Sequence, residues 1–155
     1  MNKVKPYPVG VDLMWLGQDQ NGVLAAFITA GFGPVPESML DEAGQVVADI
    51  ESELLDLPRV SDAQLHVAVP RPDDFVSLAE RGFLVFDWRD AHRSLSEETE
   101  CYELVASPKS FASPSEKVAA RSIPVVRLSG LIFSHRVSLR GLERFIKVGS
   151  GITGT

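Results

Sequence analysis

Hydrophobic and polar positions along the chain change period several times, and each change predicts a change of element. Val11 to Leu16 and Val23 to Ala30 are dense apolar runs that predict strands. Between them Asp19-Gln20-Asn21-Gly22 supplies turn chemistry, since Asn-Gly adopts positive φ at little cost. The unit predicted is an opening β-hairpin. Gly31-Phe32-Gly33-Pro34-Val35-Pro36 then breaks the strand. From residue 36 to 57 the period becomes helical, with Met39, Ala43, Val46, Val47, Ile50, Leu54 and Leu57 on one stripe. Pro36 suits a first turn and Pro58 stops the helix, because proline restricts the residue before it.

Further along, Ala63 to Val69 alternates like a half-buried strand, and Asp73 to Gly82 reads as a short helix, acidic at its start and closed by glycine. Phe83 to Trp88 predicts a central strand, Asp90 to Glu100 an exposed loop, and Cys101 to Ala106 another strand. Ser107 to Lys117 reads as a loop with one helical turn near Glu116. Ser122 to Leu128 and Leu131 to Phe133 read as late strands. Arg136 to Val148 fits a short helix that Gly141 weakens. The fold class expected is α+β: an antiparallel or mixed sheet of about five to seven strands, with the long amphipathic helix and one or two short helices packed on it. The length of 155 residues suits one domain, 1–148, with the Gly-rich 149–155 read as a flexible tail.

Composition adds exclusions. With 45% hydrophobic and 23% charged residues the chain is neither disordered nor a coiled coil, and no apolar run reaches membrane-span length. The N-terminus lacks a signal-peptide core, so a cytoplasmic location is expected. The single cysteine, Cys101, excludes an internal disulfide and a cysteine-rich zinc site. The net charge of −6 is unevenly spread: residues 1–78 hold 12 acids and four bases, whereas 121–147 hold six bases and one acid, Glu143. A strongly negative first half is a poor surface for nucleic acid, whose binding rests on Lys and Arg. Neither nucleic acid nor membrane is expected as a partner.

Candidate chemistry is sparse. His66, His92 and His135 fall in three different segments. Asp87, Asp90 and His92 stand together near a strand end, where carboxylates beside an imidazole can bind a metal or tune a general base. Their spacing matches no established ligand set, and solvated residues at a strand-to-loop junction are the plainer reading. Cys101 with His135 would need an activated thiol and an oxyanion site, and neither leaves a trace; a buried apolar cysteine is the plainer reading. Gly-x-Ser-x-Gly is absent. The Gly31-to-Pro36 loop lacks the Lys and the N–H donors of a phosphate cradle. No catalytic residue, metal or cofactor is assigned, and a small enzyme or ligand-binding domain around Asp87, Asp90 and His92 is the alternative function.

The least ordinary feature is the helix surface itself. Glu37, Asp41, Glu42, Asp49, Glu51, Glu53 and Asp56 are acidic, with no Lys or Arg between Pro36 and Pro58. Such a face either only solvates the helix or docks a basic protein, through Glu37, Asp41, Glu42, Asp49, Glu53 and Asp56. Two segments carry a resemblance: Trp15 to Gly22 with Ala25 to Pro36, and Phe86 to Asp90 with Tyr102 to Pro108. In hydrophobic pattern and turn residues they resemble small bacterial proteins of the polymorphic-toxin immunity type. The resemblance implies a protein-binding inhibitor that covers a basic toxin domain, and it implies no site residue.

Overall fold

The opening hairpin forms as expected, and its turn explains why. Strand β1 (Met14–Gln18) pairs antiparallel with β2 (Leu24–Ile28), Trp15 lying opposite Phe27. The Asp19 carboxylate closes the loop: Oδ1 accepts the Asn21 and Val23 amides at 2.9 and 3.0 Å, and Gly22 takes φ +82°. The computed structural model describes residues 8, 12–41, 43, 49–70, 72–89, 101–110, 113–138 and 145–146.

Ala30 follows β2 at φ +54°, an unfavourable conformation for alanine, and two side chains hold it. Its amide donates to Asp12 Oδ1 at 2.8 Å, while the buried Thr29 hydroxyl accepts the Leu13 and Gly31 amides. A short strand β3 (Val35–Pro36) comes next, then a 3-10 turn at Glu37–Met39. Here the structure corrects the expected helix of 36–57. Pro36 lies in an extended pair with Phe145 rather than in a first helical turn, and Leu40 is extended at φ −122°, ψ 147°. Helix α1 (Ile50–Leu55) starts afresh, with Asp49 as its cap accepting the Ser52 amide at 3.2 Å. Of the stripe, Met39, Ile50, Leu54 and Leu57 are buried, but from separate elements; Ala43 is exposed, and Val46 and Val47 lie outside the described residues. An uninterrupted helix would set Asp49 against Glu53 as like charges one turn apart; as an N-cap, Asp49 stabilises the chain instead.

The remaining elements are β4 (Ala63–Leu65), α2 (Asp73–Glu80), β5 (Leu84–Arg89), β6 (Cys101–Pro108), α3 (Ser115–Ala120), β7 (Val126–Arg127), β8 (Arg136–Val137) and β9 (Phe145–Ile146). Seven strands form one mixed sheet in the order β4-β6-β5-β2-β1-β7, with β8 also on β6; β3 and β9 pair separately. The α+β class with a mixed sheet therefore stands. The β2–β5 and β1–β7 seams are parallel and the others antiparallel. Leu131 to Phe133 is not a strand, and the expected helix from Arg136 holds two short strands within its described positions.

The parallel β2–β5 seam makes the core. Cross-strand partners Trp15, Phe27 and Phe86 stack at centroid distances of 4.2 and 5.0 Å, with interplanar angles of 8° and 10°. Tyr102 meets Phe27 edge-on at 5.0 Å, and its hydroxyl donates to the Pro34 carbonyl at 2.8 Å. Phe133 lies against both Phe27 and Phe86. Each such pair adds about 0.5–1.5 kcal/mol to the burial itself. Gly17 is required beneath this stack, since a Cβ there would lie 2.8 Å from the Phe27 ring. Helix α1 packs on β1, and α2 on β5 and β6. Among the described residues no helix is long and apolar enough to cross a membrane.

Candidate functional site

Three turns of chain converge their carboxylates where the helices begin. Asp49 caps α1, Glu51 sits in its first turn, Asp74 in the first turn of α2, and Asp12 is the anchor of the Ala30 turn. The carboxyl of Glu51 is raised above its ordinary value. Loss of surrounding water to neighbouring protein atoms is the main cause, followed by repulsion from Asp74, Asp12 and Asp49. Among the described residues no Lys or Arg forms an ion pair with any of the four. Nor does any set of three His, Cys, Asp or Glu side chains there come close enough to hold a metal ion.

The acids expected to dock a partner are dispersed. Glu37 is half-buried in the 3-10 turn, and Asp41 is exposed with Oδ1 accepting the Ala43 amide at 2.9 Å. Glu42 lies outside the described residues. Glu53 and Asp56 face Arg121, just beyond α3, at 3.5 and 2.8 Å. The Asp56 hydrogen bond is the first cause that holds the Arg121 guanidinium above its ordinary value. Of the five that are described, only Asp49 belongs to the cluster around Glu51. Asp12 and Asp74 carry no local signal in the sequence, because joining residues 12, 51 and 74 depends on the fold bringing β1, α1 and α2 together.

Comparisons with family models, characterised proteins and solved structures found no match to this chain. The site must be read from its own chemistry. Asp87 is buried in β5, opposite Ile28 and Glu103, while Asp90 and His92 lie outside the described residues. Cys101 is buried at the start of β6 without a disulfide. The ladder sets His135 beside Leu104, three residues farther along β6 and roughly 10 Å from Cys101, so the two do not form a nucleophile–base pair. What the sheet does bring together is His135 and His66, from opposite halves of the sequence.

Proposed function

We propose that this chain is a protein-binding domain of the immunity-inhibitor kind, which captures a basic partner through the carboxylates of Asp12, Asp49, Glu51 and Asp74. The observation that carries this reading is the placement of Asp49 and Glu51 at the start of α1, Asp74 in the first turn of α2 and Asp12 at the Ala30 turn, with no described base paired to any of them. Concentrated negative potential of this kind speeds encounter with a cationic surface and excludes anionic ones. A basic toxin domain, such as one that grips nucleic acid, offers the complementary charge, and covering its active face would block it. The resemblance of the Trp15-to-Pro36 and Phe86-to-Pro108 segments to immunity-type proteins is in keeping with this reading.

The test is a capture from the producing bacterium, followed by reconstitution of the captured protein with the purified chain. Association should be fast at low salt and slow at high salt, as the screening length falls from about 10 Å at 0.1 M to about 3 Å at 1 M. Glu51→Lys with Asp74→Lys should slow association about tenfold or more at low salt. Reversing Glu53 and Asp56, already faced by Arg121, should do less. Equal association rates for the wild type and the Glu51→Lys/Asp74→Lys variant would remove the acidic region from the reading.

A further inference from the structure

We infer that His66 and His135 form a binding site for one divalent transition-metal ion of the zinc or copper class, with water completing its coordination. The two histidines meet because β4 and β8 lie end to end along the same side of β6. Leu65 pairs with Ala106 and Arg136 with Glu103, both antiparallel. Between those pairs the His66 amide donates to the Val105 carbonyl and the Leu104 amide to the His135 carbonyl, each at 2.8 Å. One interrupted strand thus carries His66 on one side of its break and His135 on the other. On its far side β6 bulges at this level: Val85 pairs with Ala106 and Phe86 with Leu104, so Val105 is the extra residue. Bulges of this kind re-aim side chains, and they recur beside functional sites.

The side chains suit the chemistry. The imidazole centroids stand 6.3 Å apart at 82°, and both residues are exposed. With metal–nitrogen bonds of 2.0–2.1 Å, two rings sharing one ion have centroids up to about 6.4 Å apart, and about 5.2 Å at a tetrahedral angle. Rotation of two exposed side chains covers that interval. His66 Nε2 lies 2.8 Å from Ser107 Oγ. In the tautomer that donates Nε2–H to that hydroxyl, Nδ1 holds the lone pair, and a metal-binding histidine is oriented in this way by the partner of its other nitrogen. Imidazole favours zinc, copper and nickel, whereas magnesium prefers oxygen. With two protein ligands the ion keeps open positions, so the site is an exchangeable one rather than a closed structural centre.

The test is calorimetric titration of the chain, prepared without a histidine tag, with ZnCl2, CuCl2 and MgCl2. One equivalent of zinc or copper should bind and magnesium should not. His66→Ala and His135→Ala should each weaken binding about tenfold or more, and Ser107→Ala by up to about tenfold. His92→Ala should leave it unchanged. Copper spectra should report two coordinated imidazole nitrogens in the wild type and one in each single variant. The backbone atoms of residues 66 and 135 keep their ladder bonds in these variants, and His66→Gln and His135→Gln serve where the alanine forms lose their melting transition. No zinc or copper binding, binding unchanged in both single variants, or binding lost with His92→Ala would each overturn the assignment.

Discussion

Asp19 is the residue whose loss should be felt most widely for its size. Its side chain is 6% exposed and accepts three backbone amides: Asn21 and Val23 on Oδ1, at 2.9 and 3.0 Å, and Phe133 on Oδ2 at 3.0 Å. The first two shape the β1–β2 turn. The third ties that turn to a segment more than a hundred residues later, whose Phe133 ring packs on Phe27 and Phe86. Hydrogen bonds to a charged group contribute about 1.5–3 kcal/mol each, and three sharing one carboxylate are not additive. Asp19→Ala should therefore cost about 4 kcal/mol, against a total stability of about 5–15 kcal/mol for a domain. Asp19→Asn keeps an oxygen for the turn but sets an amide N–H against the Phe133 N–H, or the reverse after a flip, and should cost about 2 kcal/mol. Urea unfolding followed by the fluorescence of Trp15 and Trp88, both buried, reads this directly. At a slope of about 2 kcal/mol/M the midpoints should fall by about 2 M and 1 M. Hydrogen exchange at the Phe133 amide should quicken in both variants. A loss below about 1 kcal/mol for Asp19→Ala, or wild-type stability in Asp19→Asn, would refute the claim that this carboxylate holds the turn to the late segment.

Gly33→Ala would place its Cβ 2.7 Å from the Tyr102 hydroxyl and 2.9 Å from Trp88 Cβ. It should cost about 2–4 kcal/mol in the same urea assay, by overpacking and by loss of the bond to Pro34. Glu51→Gln should stabilise the fold at neutral pH. A carboxyl raised in the folded state favours folding below its unfolded value, near 4.5, and that contribution is lost as pH rises through the folded value. The advantage of glutamine should thus be present above the folded value and vanish below about pH 4. Because the residue is exposed and screened, the gain is about half a kcal/mol or less, read from melting curves across pH.

Much of the fold was legible where the decisive contacts are local. Asn21-Gly22 announced the hairpin, and Asp73-Asp74 with Gly82, at φ +101°, marked both ends of α2. Of the apolar stripe after Pro36, Met39, Ile50, Leu54 and Leu57 are buried, Ala43 is exposed, and Val46 and Val47 lie outside the described residues. The stripe misjudged continuity, because periodicity records which positions are apolar and not that Pro36 is taken by a β-pair or that Asp49 serves better as a cap. The candidate site was less legible. Seven acids between residues 36 and 58 were plain in the sequence, but Arg121 facing Glu53 and Asp56 was not, nor was the grouping of Asp12 and Asp74 with Glu51. His66 and His135 carried no signal at all, since two strands meeting end to end on a third depend on pairings that no local window contains.

The way β4 and β8 share one side of β6 has a consequence for how anything can attach to this protein. A sheet margin with a long row of unused amides and carbonyls invites a strand from another chain, which is a route both to peptide capture and to aggregation. Here one margin of the seven-stranded sheet is built from pieces of three and two residues with a break between them, and the other is the two-residue β7. Among the described residues neither offers a run long enough to template a further strand, so along these stretches recognition falls to side chains rather than to main-chain zippering.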